Sequence, residues 1–169
     1  MKAIPIMKQK RQKGVAAVEM AIILLPMLIL CFGIIEIGRA LYFYNGLVKS
    51  TRGAVRYLTA QNLKSPPAGV TAESIRLRAR SLALCGAADC SGLPPLVPGL
   101  TLAHIRVCDP VACPTTHNSV ATGQGSADLV TVAIGGAGAT PYTFTFMIPG
   151  AGPELTFTPV STTMVSQFF

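Results

Sequence analysis

The chain has no C-x-x-C redox pair, no G-x-S-x-G nucleophile elbow, no phosphate-binding loop and only two histidines. These absences remove the usual sequence signatures of a dithiol oxidoreductase, a serine hydrolase and a nucleotide-dependent enzyme. Acid is scarce as well: seven Asp and Glu stand against fourteen Lys and Arg, and no acid precedes Glu19. Five of the basic residues, Lys2, Lys8, Lys10, Arg11 and Lys13, crowd the start of the chain. The nine others nearly balance the seven acids, so no broad basic surface remains and no nucleic-acid partner is expected. Internal repeats and a detachable second domain are also missing.

What the chain does have is one long apolar run. Between Lys13 and Glu36 lie 22 residues whose only charge is Glu19. As an α-helix the run is about 33 Å long, enough to cross a hydrocarbon core of about 30 Å. A single passage through a lipid bilayer is therefore expected. The short basic tail reads as its cytoplasmic side, although Arg39, Lys49, Arg52 and Arg56 beyond the span weaken the charge asymmetry. Pro26 lacks the amide proton that a helix interior needs, and is expected to kink or locally unwind the span. Tyr42, Phe43 and Tyr44 fall where an interfacial aromatic belt belongs.

Beyond the span the helical pattern continues. Leu41, Tyr44, Val48, Val55 and Leu58 form an apolar stripe that Thr51 interrupts, while Asn45, Lys49, Arg52 and Arg56 recur on another face. The helix must end before Ser65-Pro66-Pro67. Thr71 is placed to cap a second helix with Glu73 in its first turn and Gly86 near its end. Ile75, Leu77, Leu82 and Leu84 are its apolar residues, but the alternating Arg76, Arg78 and Arg80 do not fit one face. After Leu100 the period becomes two, giving candidate strands at 102–108, 128–134, 142–148 and 155–165, with turns at 135–138 and 149–153. Short links between successive strands favour an antiparallel sheet, one face of which could take the helix stripe. The expected fold class is α+β: a long N-terminal transmembrane helix continuing into a small extracytoplasmic domain with an antiparallel sheet. The expected division is 1–14 as a basic leader, 15–38 as a transmembrane helix, 39–62 as its amphipathic continuation and 63–169 as an α+β head.

Two residues in the apolar run carry the chemistry. Gly14 permits close backbone approach at the cytoplasmic edge. Glu19 is a carboxylate in a lipid-facing segment, where ionisable groups are costly and usually have a function. A Gly ending a basic tail, followed five residues later by a Glu in an apolar helix, resembles the prepilin-peptidase signal of type IV pilins and pseudopilins. The run Gly14-Val15-Ala16-Ala17-Val18-Glu19-Met20-Ala21, then Leu25-Pro26-Met27-Leu28, then Phe32 to Tyr42 around Glu36 and Arg39, resembles the TadE-like family of tight-adherence (Flp-type) pilus minor pseudopilins. Asn45 and the stretch Thr51 to Tyr57 are similar to that family's helical continuation. Met20 departs from it, where Phe is commoner; Met is apolar and adaptable, so the change is mild.

The resemblance implies cleavage between Gly14 and Val15 by a prepilin peptidase, and a role in pilus assembly or priming rather than an enzymatic one. It implies that Glu19 pairs with the Val15 amine of a neighbouring subunit and sets their stagger. Implied partners are the peptidase, other Tad pilins and pseudopilins, the inner-membrane assembly machinery and the bilayer. The implied location is the bacterial inner membrane, with the basic tail cytoplasmic and the head periplasmic, and with possible passage into a pilus. No cofactor is implied. Glu36 and Arg39, at i and i+3, can form an ion pair near the outer interface or contact another pseudopilin. Ala17 and Ala21 offer a small-x-x-x-small helix contact.

Other readings stay open. A secretory signal could end at Gly38-Arg39-Ala40, leaving a periplasmic domain that starts at Leu41 and has no pilus role. A lipoprotein signal at Cys31 fits less well, since bulky Leu30 precedes it, and in the span Cys31 is a small apolar residue. Cys108, Cys113 and His117 have C-x₄-C-x₃-H spacing that zinc could use, with His104 nearby. An even set, Cys85, Cys90, Cys108 and Cys113, in an oxidising compartment favours disulfides instead, with no metal expected. Local bridges Cys85–Cys90 and Cys108–Cys113 are expected, one of the three pairings four cysteines allow.

Overall fold

The computed structural model describes residues 13–123, 125–147 and 154–168. The basic residues before Lys13 and the turn at 149–153 lie outside them. The chain forms an α+β protein made of one long helix followed by a small domain with antiparallel sheets. Two compact units are distinguished, the first ending at Gly38 and the second running Arg39–Phe169.

The first helix, α1, runs Lys13–Thr59. In the first unit every residue from 14 to 35 is exposed, including Ile22, Leu25, Ile29 and Leu30 at 64–67%. A continuous apolar surface of this kind is not left to water. The helix is long and apolar enough to cross a membrane. It stays helical through Pro26, without the local unwinding expected there. Lipid-embedded helices tolerate Pro because neighbouring groups re-satisfy the carbonyl that loses its donor.

In the second unit α1 buries Ala40, Leu47, Thr51, Ala54, Val55 and Leu58. Val55 and Leu58 match the expected stripe, but Leu41 is 59% exposed and Tyr44 39%. The buried stripe is richer in small residues than hydropathy suggested, because close contact and not apolarity alone sets which face is covered. Gly46 shows this: a Cβ there would lie 2.8 Å from Val97 Cγ2.

Helix α2, Ala72–Cys85, begins and ends where the sequence places it. Thr71 Oγ1 accepts the Ser74 N–H at 3.1 Å, and the Ser74 hydroxyl reaches back to the Thr71 N–H. Gly86 closes the helix at φ 80°, a left-handed conformation suited to glycine. Its core face is Ile75, Ala79 and Ala83, whereas Leu77 is 48% exposed.

The central sheet has three antiparallel strands in the order β1 (Ile105–Cys108), β4 (Leu129–Ile134), β7 (Val160–Val165). Val107 pairs with Val132, and Val132 with Thr162. Alternation puts Ile105, Val107, Val130, Val132, Ile134 and Val160 into one core with the buried stripes of α1 and α2. Between β1 and β4 lie the single turn α3 (Pro114–His117) and a hairpin of β2 (Val120–Thr122) and β3 (Gly125–Ala127). Between β4 and β7 a second hairpin pairs β5 (Thr143–Phe144) with β6 (Leu155–Thr156).

Three expected strands are shorter. Residues 102–104 form a 3-10 turn held by Thr101 and His104, so β1 starts at Ile105. The candidate at 142–148 pairs only at Thr143–Phe144, and Ile148 lies outside the described residues. The candidate at 155–165 is divided into β6 and β7, with Pro159 in the gap, since proline cannot donate to a ladder.

Candidate functional site

Gly14 and Val15 lie at the N-terminal end of the described part of α1. A Cβ at Gly14 would meet no atom within 4 Å, so the backbone there is open to approach. Val15 is 53% exposed. Glu19 stands four residues on, about 6 Å along the axis, and is exposed. Among the described residues it has no hydrogen-bond or ion-pair partner. Ala17 and Ala21 are exposed beside it.

Glu36 is buried, at 6% exposure, and Arg39 is half-buried. The Arg39 guanidinium lies over the Phe43 ring at 5.7 Å and the Phe144 ring at 5.3 Å. Those two rings meet edge-on at 5.5 Å. An arginine followed four residues later by an aromatic is a readable helical pair, but its third member on β5 is not visible in sequence.

The cysteines are joined as Cys85–Cys90 and Cys108–Cys113, and Cys31 is free and exposed. With Cys108 and Cys113 bonded to each other, the nearby His117 has no thiolates with which to share a metal, although the three ligand atoms lie within 4.8 Å. Both its ring nitrogens are engaged, one with Thr116 Oγ1 at 2.7 Å and the other with Thr131 Oγ1 at 2.8 Å. Burial lowers its pKa below the usual histidine value, the Arg106 charge adding to this and Asp109 opposing it. His104 contacts Thr101 through both the backbone N–H and the hydroxyl.

Two carboxylates that the sequence reading passed over organise the head. Asp109 is fully buried and takes the Arg76 fork, while its Oδ1 also accepts the Val111 and Ala112 N–H groups at 2.8 and 2.9 Å. Burial by itself would raise this carboxyl, but Arg76 and the two amides hold it below the usual carboxylate range. The same Asp109 hydrogen bond is the largest influence raising the Arg76 pKa. Asp128, 3% exposed, pairs with Lys64 Nζ at 2.5 Å and accepts the Ser119 N–H at 2.8 Å. It too is held low, Lys64 and Ser119 outweighing burial. Ser119 has φ 48°, an uncommon conformation for a residue with a side chain, and this hydrogen bond fixes it at the base of the β2–β3 hairpin. Asp109-Pro110, directly after a cysteine, was the available signal for a turn-forming carboxylate.

No curated protein and no solved structure matches the chain. One family model does: residues 14–56, from the open Gly14 through Glu19, Glu36 and Arg39 into the buried stripe of α1, match the family described as TadE-like protein.

Proposed function

We propose that the chain is a minor pseudopilin of a tight-adherence (Flp-type) pilus system, anchored once in the inner membrane with its disulfide-bonded head on the periplasmic side. The TadE-like match supports association with that pilus. One further observation carries the reading. Glu19 is the only charge between Gly14 and Ile35 on an exposed apolar helix, and no described residue of its own chain pairs with it.

A carboxylate so placed must neutralise or find a cation. Cleavage after Gly14 by a prepilin peptidase creates that cation as the Val15 amine. It also removes the five basic residues that would otherwise be dragged through lipid during extraction. The amine of one subunit then pairs with Glu19 of its neighbour and fixes their axial stagger, while apolar side chains and the Ala17–Ala21 face make the lateral contact. In this scheme residues 1–14 are a leader, 15–38 the anchor, 39–62 its continuation and 63–169 the head. The chain is a peptidase substrate and an assembly component, not a catalyst.

The test is mass spectrometry of the protein recovered from piliated cells. A mature start at Val15 is expected. A start at Met1 with no trimmed form overturns the scheme, and a start at Leu41 replaces it with a signal-cleaved periplasmic domain.

A further inference from the structure

The two edges of the central sheet differ. β1 has four residues, one of them Arg106, whereas β7 has six and carries neither a charge nor a proline. Its register against β4 runs unbroken from Val160 to Val165, with no bulge to turn the edge away. Edge strands are ordinarily blunted by charge, proline, bulges or brevity, because an open row of N–H and C=O groups invites pairing.

One hydrogen bond sets which groups are open. Ser166 donates its N–H to the Asp128 carbonyl at 2.8 Å. In the antiparallel register that phase gives Val160, Thr162 and Met164 to the β4 ladder, and it turns the backbone groups of Ser161, Thr163 and Val165 outward. Gln167, next in the outward set, gives its N–H to the Thr59 carbonyl of α1 at 3.1 Å. The N–H groups of the three before it have no hydrogen-bond partner among the described residues.

Alongside this edge runs a groove of about 610 Å³, walled by Tyr44, Asn45, Val48 and Arg52 on α1 and by residues 159–163. Its sides are fixed to each other, since Thr51 and Thr162 share a hydrogen bond at 2.9 Å and Gln167 holds Thr59. A preformed groove spares an incoming strand the cost of reorganising its host. The α1 wall is basic. Lys49, Arg52 and Arg56 are exposed, and among the described residues none of them has an ion-pair partner. Lys49 and Arg56 stand about 10 Å apart along the helix axis. The first and third of three alternate strand residues lie about 13 Å apart, a close match.

We infer that β7 is a docking edge for an extended acidic segment of a partner protein, which adds as a fourth strand beside it. Ser161, Thr163 and Val165 supply the ladder bonds, and alternate carboxylates of the segment face Lys49, Arg52 and Arg56. The acidic character follows from that stripe, which also disfavours a second copy. Two β7 strands paired edge to edge about a two-fold axis would bring the same cations of both chains together. The inference uses only the head and the adjoining turns of α1, so it stands whether or not the chain is cut after Gly14.

The test is amide hydrogen exchange, read by NMR on the full chain in neutral detergent micelles, with and without a short peptide of alternating valine and glutamate. With peptide in large excess, exchange at Ser161, Thr163 and Val165 is expected to slow by about tenfold or more, while Thr162 and Met164, already in the ladder, change little. Arg52→Glu is expected to weaken peptide affinity by about tenfold and to leave exchange in the free protein unchanged. Unaltered exchange at the three outward amides overturns the docking edge. Equal slowing by a valine–lysine peptide overturns the acidic partner. Slowing without peptide as protein concentration rises assigns the edge to a second copy, and slowing by added phosphatidylglycerol alone assigns it to lipid; either result overturns the inference.

Discussion

The Arg76 guanidinium grips the Asp109 carboxylate with two hydrogen bonds, Nε to Oδ2 at 2.6 Å and Nη2 to Oδ1 at 3.2 Å, across 33 residues of sequence. Asp109 is fully buried, and its carbonyl also accepts the Cys113 N–H, so one residue ties α2 to the loop closed by Cys108–Cys113. The first prediction concerns removal of one partner. Arg76→Met leaves a buried carboxylate with only backbone donors and lowers stability by about 3 kcal/mol. Urea unfolding of the full chain in detergent measures this, and an unchanged midpoint refutes a structural role for the pair. Arg76→Lys is expected to recover only part of the loss, because an ammonium cannot reproduce the fork.

Acid should destabilise the head in two separate windows. His117 has a folded pKa below the ordinary histidine value of 6.5, so its contribution is complete above 6.5 and is lost as pH falls through the lower folded value. Asp109 and Asp128 are held below 3.8, so theirs is complete above 3.8 and is lost as pH falls further. Melting temperature against pH is expected to step down first below about 6.5 and again below about 3.8. His117→Gln should erase the first step and spare the second.

Gly46 is required for space. Gly46→Ala gains roughly 1 kcal/mol of helix propensity, but the added methyl would stand 2.8 Å from Val97 Cγ2. Val97 is buried and its branched side chain has no flexible end to move aside. Overpacking of this kind costs about 1–3 kcal/mol, so the net change is a loss on the order of 1 kcal/mol, read by thermal melting. A stabilised variant would show that the 86–100 loop yields easily.

Glu19 and Gly14 separate maturation from assembly. Glu19→Ala is expected to leave trimming at Val15 intact while sharply reducing pilus output, since the neighbour's amine then has no carboxylate to meet. Gly14→Val is expected to block trimming itself. Both are scored by N-terminal mass spectrometry alongside counts of surface pili. Normal piliation by Glu19→Ala removes its role in stagger.

Much of the fold is legible locally. The apolar run, the Thr71 and Gly86 ends of α2 and the period-two segments after Leu100 each follow from short-range rules: length against bilayer thickness, side-chain capping, and alternation. The candidate site is legible for the same reason, because Gly14 and Glu19 lie five residues apart on one helix. The misreadings share a different cause. Thr51 reads as a break in an apolar stripe, yet it is fully buried, because its hydroxyl meets Thr162 on β7 and the Val48 carbonyl. Arg76 reads as one of three misplaced arginines, yet it is the partner of a buried acid.

By itself the sequence determined where the chain is apolar for long enough to cross lipid, where its helices are capped, and which residues alternate. These depend on neighbours within a few positions, and the backbone periods of helix and strand translate them directly. Only the tertiary structure decided which polar groups are buried and which face of α1 is covered. A polar side chain is tolerated inside only when a partner is brought to it, and that partner comes from the folded arrangement of distant segments.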